Sequence, residues 1–162
     1  MSKVDMRSWD TWDTYFMDMV TLVASKSKDR SMKCGTVVVG EGNTILTTGY
    51  NGFPRGVDDD NEEYHKRPAK YAWTEHGERN AIYNAARNGI KLLDSRAYIT
   101  GYPCVDCARA IVQAGITEII IPTKKNDPFF KMGRWDDWAE SFKQAEELLK
   151  AGKVMVTTHV VQ

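Results

Sequence analysis

An excess of charge of either sign is missing from this sequence. Lys and Arg number 22 among 162 residues, Asp and Glu also number 22, and the formal net charge is zero with a pI of about 6.8. That balance disfavours a protein whose affinity comes mainly from neutralising nucleic-acid phosphates, although it permits a local basic patch. Long apolar runs are also missing. None approaches the ~20 residues needed to cross a bilayer, so no membrane span is expected. Met1-Ser2-Lys3-Val4-Asp5 carries no apolar signal core, and Val160-Val161-Gln162 carries no lipidation or retention motif. The expected location is cytoplasmic. Cysteine is scarce. Three cysteines cannot all pair within one chain, and in a reducing cytosol cysteines at short spacing more often bind metal or do redox work. Repeats, low-complexity tracts and Pro/Gly/Ser linkers are absent as well. One domain over residues 1–162 is expected. At this size a chain buries roughly 70% of its unfolded surface and needs no disulfide or metal merely to fold.

What is present reads as helices and strands in alternation. Trp9, Trp12, Phe16, Met19, Val20 and Val23 recur at helical spacing, with Ser8 as a possible cap and Asp10 and Asp13 near the positive end of the dipole. Thr36–Val39 and 44–48 are β-branched runs joined by Gly40-Glu41-Gly42-Asn43, which predicts an antiparallel hairpin. Residues 51–73 form a long polar stretch, and loops of that length are usually functional or mobile. Thr74 then caps a helix that Gly89 ends. A strand over 96–100, a helix over 104–114, a strand over 118–121, a helix marked by Trp135, Trp138, Phe142, Ala145 and Leu149, and a strand over 153–157 follow. Phe129, Phe130, Trp135 and Trp138 suit either core packing or an oligomer interface. Strands separated by helices are expected to run parallel with right-handed crossovers. The predicted fold is α/β, a three-layer α/β/α arrangement. Its five-stranded mixed sheet has a hairpin at one end, three parallel strands at the other, and helices on both faces.

Two segments carry chemistry: Thr74-Glu75-His76-Gly77-Glu78-Arg79-Asn80 and Pro103-Cys104-Val105-Asp106-Cys107. Each lies where a loop enters a helix, and such helix starts gather at the carboxyl ends of parallel strands. Cys104 and Cys107 are three apart on a first turn and can face one point. Two thiolates and one imidazole make a three-ligand zinc site, whose fourth position is left for water in catalytic centres. A structural zinc would need a further ligand from Cys34, His65 or His159. Cys34 adjoins a strand run and reads as a small packed residue. Glu78 cannot share a regular helical face with His76, so both reach one site only if His76 sits at the non-ideal start of the helix. An unligated carboxylate there can pass protons between water and substrate. Gly77 has no side chain, which would let a substrate ring lie against the backbone.

His-x-Glu followed by Pro-Cys-x-x-Cys is the signature of zinc deaminases. The sequence resembles the cytidine/deoxycytidylate deaminase superfamily, and within it the deoxycytidylate (dCMP) deaminases. Ser27-Lys28-Asp29, Gly49-Tyr50-Asn51-Gly52-Phe53-Pro54, the long insert before His76, Glu78-Arg79-Asn80-Ala81-Ile82 and the run from Ala108 to Ile116 carry the narrower likeness. It covers residues 20–122 well and the last 40 poorly. The resemblance implies a cytidine-deaminase-like fold and hydrolysis of dCMP to dUMP, the precursor of thymidylate. It implies one catalytic zinc per chain held by His76, Cys104 and Cys107, with Glu78 moving protons. It further implies that Asn51 contacts the sugar, that Lys26, Ser27 and Lys28 lie near the phosphate, and that the chain forms a homo-oligomer, dimer or hexamer. Tyr102, just before Pro103, suits either the border of the base or packing. A deaminase of another nucleotide or of transfer-RNA adenosine shares the same zinc core. The zero net charge and the Gly-Tyr-Asn-Gly loop favour a mononucleotide. The chain departs from the family at Gly77, where alanine is usual, at Cys34, often valine, and at Pro122-Thr123-Lys124-Lys125-Asn126, where an aromatic-containing segment is often found.

Overall fold

The computed structural model describes residues 11–160. Helix α1 (Trp12–Ala24) is followed by β1 (Gly35–Val39) and β2 (Ile45–Tyr50), and the stretch before the site holds two short helices, α2 (Glu62–His65) and α3 (Lys70–Trp73). Then come α4 (Gly77–Asn88), β3 (Arg96–Ile99), α5 (Val105–Gln113), β4 (Glu118–Pro122), a short α6 (Pro128–Lys131), α7 (Ala139–Ala151) and β5 (Met155–His159). The strands form one sheet in the order β2-β1-β3-β4-β5. β1 pairs antiparallel with both β2 and β3, and β3, β4 and β5 run parallel, as expected from the hairpin and the intervening helices.

The alternation of strand residues separates two cores. Phe16, Met17 and Val20 of α1 pack on Val37, Val39, Tyr98 and Ile120 on one face. Val38, Ala97, Ile99, Ile119 and Ile121 point the other way, toward Ala81 and Ala85 of α4, Ala108 and Ile111 of α5, and Ala145 and Leu149 of α7. Small alanines at these helix positions let three helices lie close to the sheet. The Tyr98 hydroxyl donates to Asp13 Oδ1 at 2.7 Å and ties α1 to the central strand. No helix among the described residues is long and apolar enough to cross a membrane.

Besides shifts of one or two residues at strand ends, as where β5 is Met155–His159 rather than 153–157, three features differ from the sequence reading. Thr11 caps α1, its Oγ1 accepting from Thr14 N at 3.2 Å, and the expected contributions of Ser8, Trp9 and Asp10 lie outside the described residues. Thr74 does not cap α4. It closes α3, donating its backbone N–H to Lys70, and His76 stands at the α4 N-cap position. The long polar stretch is partly helical because it has a small core of its own. The Tyr64 and Trp73 rings stack at 3.9 Å and the Phe53 and His65 rings lie 4.6 Å apart. Ion pairs of Arg30 with Glu62 and of Lys28 with Asp59 at 2.7 Å fasten it to the chain before β1.

Candidate active site

The start of α4 is held against β2 by a close backbone approach. A Cβ at Gly49 would lie 2.3 Å from both Gly77 O and Ala81 N, so only glycine lets strand and helix meet there. Asn80 Nδ2 and Asn84 Nδ2 donate to Tyr50 O and Thr48 O, each at 2.8 Å, and satisfy carbonyls on the free edge of β2. Just upstream, Gly52 N donates to Glu75 O at 3.0 Å and Glu75 N to Gly52 O at 2.8 Å. This bridge holds 74–76 extended. His76 therefore enters the helix with β-region backbone angles and makes no side-chain capping bond. Its ring is free to turn toward α5. Cys104 occupies the equivalent N-cap position of α5, and Val105 N donates to Ser141 Oγ on α7 at 3.0 Å.

The two helix starts bring His76, Cys104 and Cys107 together. His76 Nδ1 lies 3.5 Å from Cys104 Sγ and 3.6 Å from Cys107 Sγ. A tetrahedral zinc with ordinary Zn–N and Zn–S bonds separates its nitrogen and sulfur ligands by about 3.6 Å. The donor set and its spacing thus fit a zinc ion. None of Cys34, His65 and His159 joins the cluster. His65 Nε2 bonds Asp59 O at 2.7 Å, and His159 lies on β5. Cys34 lines the same cavity with its thiol pushed up by burial.

The charges favour metal binding. A hydrogen bond from Cys107, followed by the His76 imidazole, pulls the Cys104 thiol down to about 3, against the effect of burial. The same hydrogen bond and burial push Cys107 up. Metal binding needs the thiolate forms, so a dication here would displace thiol protons. Burial would lower the His76 pKa, but Cys104 and the Glu78 carboxylate outweigh it and raise it. Glu78 is 8% exposed, and burial raises its carboxyl above the usual range. A buried carboxyl beside a metal site is placed to take and give protons.

His76, Glu78 and Cys104 line one wall of an open cavity. Asn51 and Tyr102 line it. The Asn51 amide is already engaged with backbone, Oδ1 accepting from Cys34 N at 2.7 Å and Nδ2 donating to Met32 O at 2.9 Å. Lys26, Ser27, Lys28 and Gly77 do not line the cavity. Ser27 is buried, donating to Asn51 O at 2.7 Å, and Lys28 is held by Asp59. The bare side of Gly77 faces Cys34 O, Gly49 O and Thr36 Oγ1 rather than open space. Sequence reasoning did not single out three cations on the cavity wall, Arg67, Lys70 and Arg134, nor the ring of Tyr71, and it did not place Phe129 at the cavity. It also passed over Asp127, whose Oδ2 accepts from Tyr102 N at 2.7 Å and Oδ1 from Phe129 N at 2.8 Å. Asp127 fixes the segment leading into Cys104. The pair Asp127-Pro128, an N-cap before a proline at the first helical position, was a readable signal for it. Among the aromatics held open between core and interface, Trp135, Phe129 and Trp138 pack on Phe142 at 4.7, 5.9 and 6.4 Å, whereas Phe130 is exposed.

Comparison with known proteins agrees with this geometry. Residues 10–123 match the sequence model of the cytidine and deoxycytidylate deaminase zinc-binding region. Human deoxycytidylate deaminase is 36% identical over 133 residues, covering 77% of this chain and 74% of the human protein. A probable deoxycytidylate deaminase of Drosophila melanogaster is 37% identical over 124 residues, 70% of this chain, and the match spans only 60% of that relative's length. The crystal structure of dCMP deaminase from cyanophage S-TIM5, in complex with dCMP and dUMP, superposes with a TM-score of 0.67 at 25% identity, covering 90% of this chain and 94% of that one.

Proposed function

This chain belongs to the cytidine and deoxycytidylate deaminase family, and from that premise we propose that it is a zinc-dependent hydrolase converting dCMP to dUMP. The observation that carries the reading is the buried Glu78 beside three donor atoms spaced for zinc. The named activities of the human and cyanophage relatives support the substrate. His76, Cys104 and Cys107 would hold the ion, which when bound supplies the Lewis acidity that makes water nucleophilic near neutral pH. Glu78 moves the protons. Its carboxylate takes one from the attacking water and gives it to the ring nitrogen beside C4; it then takes the second proton from the new C4 hydroxyl and delivers it to the amine as the C4–N bond breaks and the C4 carbonyl forms. The products are dUMP and ammonia. The Trp138 ring lies 6.2 Å from the His76 ring and helps to wall the cavity against bulk water.

The finer parts of the reading rest on the same assignment. dUMP is the precursor of thymidylate, so the reaction supplies that nucleotide. Thiol ligands suit a reducing, cytoplasmic setting. A homo-oligomer, dimer or hexamer, is supported by large apolar side chains such as Leu22, Tyr83 and Met155 on the described surface, and sedimentation measures it. The function itself is tested by ammonia release from dCMP by the zinc-loaded protein and its Glu78→Ala variant. The variant is expected to keep its zinc and its fold and to lose about 10²–10⁴-fold in kcat. Near-normal turnover by Glu78→Ala would refute the mechanism.

A further inference from the structure

Cys104 has little local support. It stands at the N-cap position of α5, where its side chain makes no capping bond and its sulfur lies 3.5 Å from His76 Nδ1. Pro103 before it has no N–H with which to fix the chain. The first amides of α5 have no acceptor within the helix. The peptides on both sides of Cys104 are nevertheless held, and both acceptors come from far along the chain. Upstream, Tyr102 N donates to Asp127 Oδ2 at 2.7 Å. Downstream, Val105 N donates to Ser141 Oγ, in the first turn of α7, at 3.0 Å. Asp127 is 1% exposed, and no cation among the described residues answers its charge. Its other oxygen accepts from Phe129 N at 2.8 Å. A Cβ at Gly101 would lie 2.8 Å from Asp127 Oδ2, so the bare glycine lets the carboxylate come close to the Tyr102 amide.

We propose that Asp127 and Ser141 are positioning residues that jointly set the aim of the Cys104 sulfur, one holding the chain before it and the other the helix after it. This rests on the zinc reading of the site. A helix commonly uses its N-cap side chain to satisfy its own first amides. Here Ser141 supplies such a bond from α7, and the Cys104 sulfur stays free for a metal. Asp127 accepts with both oxygens at once, as a carboxylate can. It thereby registers the turn into Cys104 against the segment that carries Phe129 to the cavity wall. Neither Asp127 nor Ser141 lines the cavity, so each acts through Cys104 and not on the substrate. Ligating groups must be held within about 0.5 Å of their working geometry. With one anchor gone, Cys104 pivots about the other. Both anchors lie beyond residues 10–123 matched by the family model, so the later segment of this chain takes part in its metal centre.

Two measurements on the full chain test the proposal: zinc affinity by chelator competition, and the absorption spectrum of the cobalt(II)-loaded protein, whose sulfur-to-metal bands report thiolate geometry. Ser141→Ala and Asp127→Ala should each weaken zinc binding by about tenfold or more and shift the cobalt spectrum. Ser141→Thr keeps the hydroxyl and should match wild type. Because both anchors act on one sulfur, the double variant Asp127→Ala/Ser141→Ala should lose less than the product of the two single losses. Ser95→Ala is the control for lost stability alone. It removes a buried bond to Leu92 O at the far end of β3 and should leave zinc affinity and spectrum unchanged. If Asp127→Ala fails to fold, Asp127→Asn, which turns an N–H toward one of the two amides, must still weaken zinc binding. Anchor variants that lose stability as Ser95→Ala does, yet keep the wild-type affinity and spectrum, would overturn the proposal. So would a double variant whose losses multiply. A wild-type protein that binds neither zinc nor cobalt would instead refute the zinc reading itself.

Discussion

Arg79 Nη1 lies 3.8 Å from Cys107 Sγ. The guanidinium is held there by its Nε, which donates to Glu75 Oε2 at 2.7 Å, and the Glu75 backbone is in turn bridged to Gly52. A cation beside a metal thiolate offsets the negative charge that two cysteines bring to a dication, and such outer contacts typically change metal affinity 10–100-fold. Arg79→Ala is therefore expected to weaken zinc binding by at least about tenfold in chelator competition. Arg79→Lys should recover part of that loss, because it restores charge without the bond to Glu75. Unchanged zinc affinity in both variants would remove Arg79 from the site.

Much of this arrangement was legible in the sequence. The period-2 and period-3.6 patterns give the five strands and the four long helices, because those elements bury regular apolar faces. His76, Glu78, Cys104 and Cys107 were legible because their chemistry is rare and their spacing puts them at helix starts. The short helices α2 and α3 were not, since four residues carry no periodicity and their stability comes from ring contacts such as Tyr64 with Trp73. The cations of the cavity wall were not legible either. Arg67 and Arg134 are 67 positions apart in number, look like any solvated arginine in the chain, and are related only by tertiary folding. The family likeness pointed instead to Lys26, Ser27 and Lys28, and the structure commits two of these to Asn51 and Asp59.

Asp29 gives a pH-dependent prediction. Burial alone would raise its pKa, but bonds from Lys70 Nζ and from the Met32 and Ser31 amides outweigh burial and hold it below the usual aspartate range. A carboxyl whose folded pKa is depressed stabilises the protein above its unfolded pKa, and that stability is lost as pH falls through the folded value. The stability gap between wild type and Asp29→Asn, measured by urea unfolding, should thus be constant from pH 6 to 8 and shrink below about pH 4. Lys70→Ala leaves the carboxylate buried without its cation and should cost about 3 kcal/mol at pH 7. A gap that widens in acid would contradict the assignment.

Gly49 and Gly77 face each other across the β2–α4 contact, and substitution should separate their roles. A methyl group at Gly49 would meet backbone atoms of α4 at 2.3 Å, which neither strand nor helix can yield without parting. Gly49→Ala should cost about 3 kcal/mol or more and lower zinc occupancy with it, because His76 rides on the displaced helix. A methyl group at Gly77 would approach Cys34 O at 3.3 Å and Gly49 O and Thr36 Oγ1 at 3.4 Å. Shifts of a few tenths of an ångström relieve those contacts, and alanine favours the helical state over glycine by up to ~1 kcal/mol. Gly77→Ala is therefore expected to stay within ~1 kcal/mol of wild type in stability and within about threefold in kcat/KM for dCMP. If Gly77→Ala instead abolished activity while keeping fold and zinc, the bare backbone at this position would have to face the substrate, as its place in the His-x-Glu motif first suggested.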